Sequence, residues 1–246
     1  MAVVQEHMQR VQKQLQFVNV INGISHMVKF RLISLDNRPI DGYNIEYKFN
    51  EQEFNQLGIR EQQKEKRRQE ILDAGLDLFI RKGYSATKIK DIAEHVGMSV
   101  GLLFHYFETK EKLYEELVRI GITGPMSMFK NIDMEPLAFF QMCAEQIFYY
   151  IQTEPSGAKM FVLMNQVNYN QAAPPAIKEM IKGFDVFTPT AALMKKGQEN
   201  KTIRAGDPYA LGVAYWCAIQ GIAELVALYP GTPCPKSDWI VDMIKG

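Results

Sequence analysis

The sequence predicts a mainly α-helical protein: a three-helix unit with a helix–turn–helix, then an all-α bundle, with an extra helix and β-hairpin at the amino terminus. Three observations carry this. Residues 88–107, KIKDIAEHVGMSVGLLFHYF, hold two short apolar-faced segments separated by a glycine turn. From residue 126 onward, apolar residues recur at helical spacing between Pro, Gly and Asn breaks, and no segment alternates as a strand does. Alternation is confined to residues 28–49. The implied organisation is an extension over 1–60, a helix–turn–helix domain over 61–120 and a helical domain over 121–246.

Within the extension, Val4, Met8, Val11, Leu15 and Val18 step by four and three, which makes one apolar helix face. VKFRLIS and YNIEYKF then alternate around DNRPIDG, a turn-forming connector, so a hairpin follows. A lone hairpin is marginal in water and needs a surface to pack on; the preceding helix is the nearest. Residues 51–69 are polar and read as a linker entering a helix from about residue 62.

That helix carries Ile71, Ala74, Leu78 and Phe79 on one side and stops at Gly83-Tyr84. In the motif, Ile89, Ile92, Ala93 and Val96 form an apolar face, with Thr87 as the expected N-cap and Gly97 as the stop. Ser99 caps the second helix. Its expected core face is Val100, Leu103, Phe104 and Phe107, leaving Gly101, Leu102, His105 and Tyr106 outward. A small residue, an imidazole and a phenol on one exposed helix suit a DNA major groove. Thr109 caps a further helix with Leu113 and Leu117 on one face, which Gly121 and Gly124-Pro125 should break.

The pieces QEILDAGLDLFIRKGYSATKI, IKDIAEHVGMS, VGLLFHYF and TKEKLYEEL together resemble the TetR family of bacterial regulators, in register, caps and core positions over about residues 64–117. The resemblance implies a DNA-binding transcriptional regulator, a dimeric repressor released from its double-stranded operator by a small apolar effector. By position, Thr87 and Lys88 would approach the phosphate backbone. Ser99, Val100, Gly101, Leu102 and His105 would face base edges or phosphates, and Tyr106 and Lys110 would hold phosphates. The chain departs from the family pattern at Val100, Leu102 and Phe104, each lacking a donor the family commonly has there; Leu102 could instead touch a thymine methyl.

Composition sets the rest. An apolar content of 47% suffices for real cores, and the formal net charge is zero. Residues 61–120 carry equal numbers of basic and acidic side chains, with the basic ones clustered at Lys64, Lys66, Arg67 and Arg68 and again at Arg81, Lys82, Lys88 and Lys90. Cys143, Cys217 and Cys234 lack ligand spacing, so no metal site is expected; Cys143 and Cys217 read as buried small hydrophobes in a reduced, cytoplasmic protein. Residues 1–16 lack the apolar segment of a secretory signal. No nucleophile–base order, phosphate loop or HExxH pair occurs, so neither an enzyme nor a bound cofactor is expected.

Helices are expected at about 135–152, 155–170, 174–184, 187–199, 207–229 and 237–245. Large soft side chains make Phe129, Phe140, Cys143, Ile147, Met160, Phe161, Met164 and Trp216 the candidates for an effector pocket. Asp207-Pro208 starts a helix apolar nearly all round, with Gln220 and Glu224 on one face. Glu224 and the absence of flanking basic residues argue against a membrane span. The family resemblance instead implies a homodimer interface formed with residues 237–244, through Leu211, Tyr215, Ala218, Ile222, Leu225, Trp239 and Ile240, where Gly212, Ala218, Gly221 and Ala227 would permit close approach. A second reading, a degenerate member working as a protein-interaction module without operator binding, predicts no salt-dependent DNA affinity.

Overall fold

The computed structural model describes residues 51–246 apart from 131, 155, 171 and 172, and over 51–60 it describes the backbone. The expected helix over 4–18 and hairpin over 28–49 lie outside the described residues. The stretch read as a linker is helical: α1 runs Glu51–Lys82 and crosses residue 60 without a break. Its Glu, Gln, Lys and Arg residues are strong helix formers, so polarity alone did not mark a coil.

Helix α2 is Ile89–His95, α3 is Val100–Phe104 and α4 is Lys110–Met128. Ile71, Leu72, Leu76 and Phe79 of α1, Ile92 of α2, Leu103 of α3 and Leu113 and Leu117 of α4 close one core. Gly83 and Gly97 take positive φ (78° and 65°) and turn the chain out of α1 and α2, as their positions in the sequence suggest.

Contrary to expectation, α4 passes through Gly121 and Gly124-Pro125 without ending. Packing on both sides of the proline holds it. A Cβ on Gly121 would come within 2.4 Å of the Met164 sulfur, so α4 and the next domain touch closely there. Gly124 and Met128 are buried beyond it.

The remaining helices are α5 (Pro136–Thr153), α6 (Gly157–Tyr169), α7 (Pro175–Lys182), α8 (Phe187–Glu199), α9 (Pro208–Leu228) and α10 (Ser237–Val241). They lie close to the expected spans. Among the described residues there is no strand, only an isolated bridge between Ile203 and Lys245. A second core joins Phe139, Phe140 and Cys143 of α5, Met194 of α8, Tyr215 and Ile219 of α9, and Ile240 and Val241 of α10. Helix α6 stands between the cores: Leu163, Met164 and Val167 belong to the first, while Phe161 packs on the second.

Helix α9 starts as expected, with Asp207 accepting from the Ala210 N–H at 2.8 Å. By length and composition it could cross a membrane. In this fold it packs on α8 and α6 and, less extensively, on α5 and α10. Tyr215 is fully buried and donates its hydroxyl to the Phe140 carbonyl at 2.6 Å. Ile240 of α10 is buried too, so neither residue is available to a partner surface. Gly212 is likewise internal, where a Cβ would meet the Thr190 methyl at 2.6 Å.

What faces outward is the neighbouring row: Ala210, Ala214, Cys217, Gly221, Leu225 and Leu228, spaced by four and three. Cys217 is therefore exposed, not a core residue as expected, while Cys143 is buried as expected. Of the other interface candidates, Leu225 and Trp239 are exposed, and Leu211, Ala218 and Ile222 are half-buried. Glu224 is a structural polar group, accepting from Gln220 and Asn165 at 2.6 Å each.

Because Gly212 sets the distance between α9 and α8, Gly212→Val should cost about 1–3 kcal/mol through overpacking. Urea unfolding at neutral pH measures it, and the midpoint should fall.

Candidate nucleic-acid interface

The turn is built by local caps. The Ser99 hydroxyl accepts from the Leu102 N–H at 3.2 Å and starts α3; the Thr109 hydroxyl accepts from the Lys112 N–H at 3.1 Å and starts α4. The cap of α2 is Lys88, not Thr87. Asp91, at the third helical position, accepts from the Lys88 N–H at 3.5 Å and from the Lys82 ammonium at 3.1 Å. Those bonds, led by the one from Lys82, hold its carboxyl below the usual range.

Thr87 has turned inward. Its hydroxyl donates to the Gly83 carbonyl at 2.8 Å and lies 3.2 Å from the Leu78 carbonyl, closing the end of α1. Buried and occupied, the side chain cannot reach a phosphate. Lys110 is also spoken for: its ammonium donates to the Tyr84 and Thr87 carbonyls at 2.9 and 3.0 Å and lies 4.2 Å from the Tyr84 ring centre. It anchors the 83–88 loop and is not a free cation. Tyr84 donates to Glu111 at 2.5 Å; that bond lowers the Glu111 pKa, while burial first, and then Glu111, raise that of Tyr84.

On α3 only Leu103 is fully buried, joined just beyond the helix by Phe107. Val100 and Tyr106 are half-buried against the same core, so each offers only part of itself outward. Ser99, Gly101, Leu102 and His105 are exposed as expected. Phe104 is the surprise: expected in the core, it is 43% exposed, with Leu102 at 47%. Five residues of helix have one inward position between Leu102 and Phe104, so those two flank the outward face. The signal was present in the sequence, since a run of apolar residues on so short a helix cannot all be buried.

Charge around this face is largely balanced. Lys90 lies 3.6 Å from Glu94, Arg81 3.1 Å from Asp77 and Arg67 2.7 Å from Glu70. The Lys90–Glu94 and Arg67–Glu70 pairs are exposed at the surface, worth little, and can exchange for phosphate; Asp77 is buried and also holds Lys159, so Arg81 is tied to the platform. Arg68 is different: it reaches Glu116 of α4 at 2.5 Å and stacks 5.1 Å from the Phe107 ring centre, holding the core under the motif. Burial opposes ionisation of Glu116, but its bonds to Arg119 and Arg68 prevail and keep its carboxyl below the usual range. Lys88 is exposed beside the motif.

The helix–turn–helix unit docks on α6. Lys159 reaches Asp77 of α1 at 2.8 Å, and Gln166 donates to the Ile80 carbonyl at 3.1 Å. A cleft of about 580 Å³ lies at this junction, lined by Glu70, Asp73, Asp77, Arg81, His95 and Lys159 among others. A second, of about 290 Å³, lies beside Tyr84 and Tyr114. None of the eight effector-pocket candidates lines either cleft. Met160 and Met164 pack with the first core, and Phe129, Phe140, Cys143, Ile147, Phe161 and Trp216 with the second. Trp216 donates to the Thr190 hydroxyl at 2.7 Å. Among the described residues no group of His, Cys, Asp and Glu side chains is arranged to hold a metal.

Residues 71–117 match the model of the bacterial regulatory proteins of the tetR family. The HTH-type transcriptional repressor KstR2 of Rhodococcus jostii is 41% identical over 66 residues, which cover 27% of this chain and 32% of that protein. The chain thus spans about a third of the length of the curated relatives it matches first. The solved structure of the ketosteroid transcriptional regulator KstR2 of Mycobacterium tuberculosis aligns with a TM-score of 0.57 at 20% identity, over 73% of this chain and 95% of that one. AibR, solved in complex with isovaleryl coenzyme A and operator DNA, aligns with a TM-score of 0.51 at 17% identity, over 72% and 94%. At these identities the two structures establish the fold.

The Arg68–Glu116 tie has a pH signature. A carboxyl whose folded pKa is lowered stabilises the fold above its ordinary pKa of 4.5 and loses that contribution as pH falls through the folded value. Glu116→Gln should therefore melt below the wild type at pH 7, and the gap should narrow at pH 3 to 4. Thermal unfolding by circular dichroism across that range checks it.

Proposed function

We propose, from a chain that belongs by residues 71–117 to the tetR family of bacterial regulatory proteins, that it is a dimeric, cytoplasmic DNA-binding regulator whose α3 helix enters the major groove. The observation that carries this reading is the face held outward by Leu103 and Phe107: Gly101, Leu102, Phe104 and His105 side by side on a short capped helix. Lys88 beside it, and the weakly paired Lys90, supply phosphate contacts, which position a protein while base-edge contacts specify it. Ser99, Val100 and Tyr106 contribute the parts of their side chains left outside the core.

Two recognition helices need a two-fold partner, since half-sites lie about 34 Å apart or a multiple of it. The outward row of α9, from Ala210 to Leu228, together with Trp239, 62% exposed, supports that partner being a second copy. Gly221 in the middle of the row meets nothing in its own chain, so a facing helix can approach closely.

Repression, and release by a small effector, is the sense of the regulation in this reading. Its support is the repressor name of the KstR2 relative and the complex in which AibR was solved. The effector acts by favouring a state whose recognition helices no longer match the operator. Helix α6 links the two ends, with Asn165 bonded to Glu224 of α9 and Lys159 to Asp77 of α1.

Fluorescence anisotropy of the full-length protein with DNA from its own upstream region, over 50–300 mM salt, tests the reading. Site-selective binding should weaken steeply with salt. His105→Ala should cost roughly 1–3 kcal/mol of that affinity, the range of a base-edge contact. Sequence-indifferent or absent binding would contradict the proposal. Leu225→Arg, on the exposed row, should leave the melting temperature nearly unchanged, yield a monomer in sedimentation equilibrium and lower operator affinity. A dimer unaffected by this change would place the interface elsewhere.

A further inference from the structure

The outward face of α3 is chemically unusual for a surface meant to meet DNA. Successive helical residues are 100° apart, so with Leu103 buried, Gly101 and His105 lie near the middle of the opposite arc and Leu102 and Phe104 lie at its two edges. Two large hydrocarbon side chains, at 47% and 43% exposure, thus flank a bare backbone position, with one imidazole beside it. Internal packing does not account for the glycine. A Cβ on Gly101 would meet nothing within 4 Å, and its φ is not in the left-handed region. Glycine inside a helix is less stable than alanine by roughly 0.5–1 kcal/mol. A costly absence of side chain with open space around it points to something outside the chain coming close at that position.

In the major groove, one exposed base-pair group is hydrocarbon: the 5-methyl of thymine. Resting on the DNA-binding reading above, we propose that Leu102 and Phe104 read thymine 5-methyl groups on either side of the position approached by Gly101, with His105 as the principal hydrogen-bonding reader of the half-site. This assigns to Phe104 a specificity role, and to Leu102 a defined chemical target. Lys88 and its neighbours then fix the register without contributing sequence preference.

The test needs no knowledge of the natural operator. Duplexes enriched from a random 30-base-pair pool by the full-length protein are resynthesised with deoxyuridine replacing single thymines, which removes only the methyl group. Enriched half-sites should contain thymine, and uracil at the contacted positions should weaken binding about fourfold for each methyl, from about 0.8 kcal/mol per buried carbon. Uracil at the remaining thymines should change nothing. Leu102→Ala and Phe104→Ala, checked by melting temperature because both sites are exposed, should each abolish the uracil effect at their own thymine. Gly101→Ala should melt at or above the wild-type temperature yet bind the enriched duplex at least tenfold more weakly. Selective enrichment with no uracil effect would overturn the methyl reading and leave the regulator standing. No enrichment at all would overturn both.

Discussion

The orientation of one five-residue helix rests on one side chain. Leu103 is the only residue of α3 wholly inside the protein, and it is held in a core made by α1, α2 and α4. With Leu103 inserted and Phe107 following it, Gly101, Leu102, Phe104 and His105 have no choice but to face outward. The ties around that core serve the same end. Arg68 lies over Phe107 and bonds Glu116, Thr87 closes α1, and Lys110 pins the loop before α2. Side chains that would be cations or hydroxyls free for DNA on another surface are here used to make the platform rigid.

That use is compatible with the proposed DNA-binding face on a chain of zero formal charge. Its basic groups divide into those locked into the platform, such as Arg68 and Lys110, and those on the rim, such as Lys82, Lys88 and Lys90. Rim pairs with Asp91 and Glu94 are solvent-exposed, so exchanging a carboxylate for a phosphate sacrifices little. In the proposed reading, affinity depends more on the fit of the outward face than on bulk attraction. Helix α6 connects this platform to the second core: the same helix carries Lys159, bonded to α1, and Asn165, bonded to Glu224 of α9. A displacement of α9 therefore has a bonded route to the base of the recognition unit.

Local chemistry was readable from the sequence and long-range partners were not. Ser99, Thr109 and Asp207 cap the helices they precede because a cap needs only an N–H three residues away. Gly97 turns the chain because its own φ permits it. Thr87 looks like a cap by the same rule, yet carbonyls at the end of α1 capture its hydroxyl. Pro125 reads as a helix stop, but α6 packs against Gly121 and the helix continues. On α9 the bulky row with Tyr215 reads as the partner face. Tyr215 instead finds the Phe140 carbonyl inside, and the row that turns out is Ala210, Ala214, Cys217 and Gly221 with Leu225 and Leu228. In α3 a four-three pattern places Phe104 inward, whereas the helix is too short for the pattern to close. Pro125 and Tyr215 depart because of partners far away in sequence, which periodicity does not record; Thr87 is captured by carbonyls four and nine residues back, and Phe104 departs because its helix is short.

The most direct test of the account is photo-crosslinking with p-benzoylphenylalanine placed at Leu102 and, as a control, at Tyr149, an exposed residue on α5. The account predicts efficient, salt-sensitive crosslinks from position 102 to the strands of a selected duplex and none from position 149. Equal yields from both positions, or no crosslink from 102 to bound DNA, would contradict it.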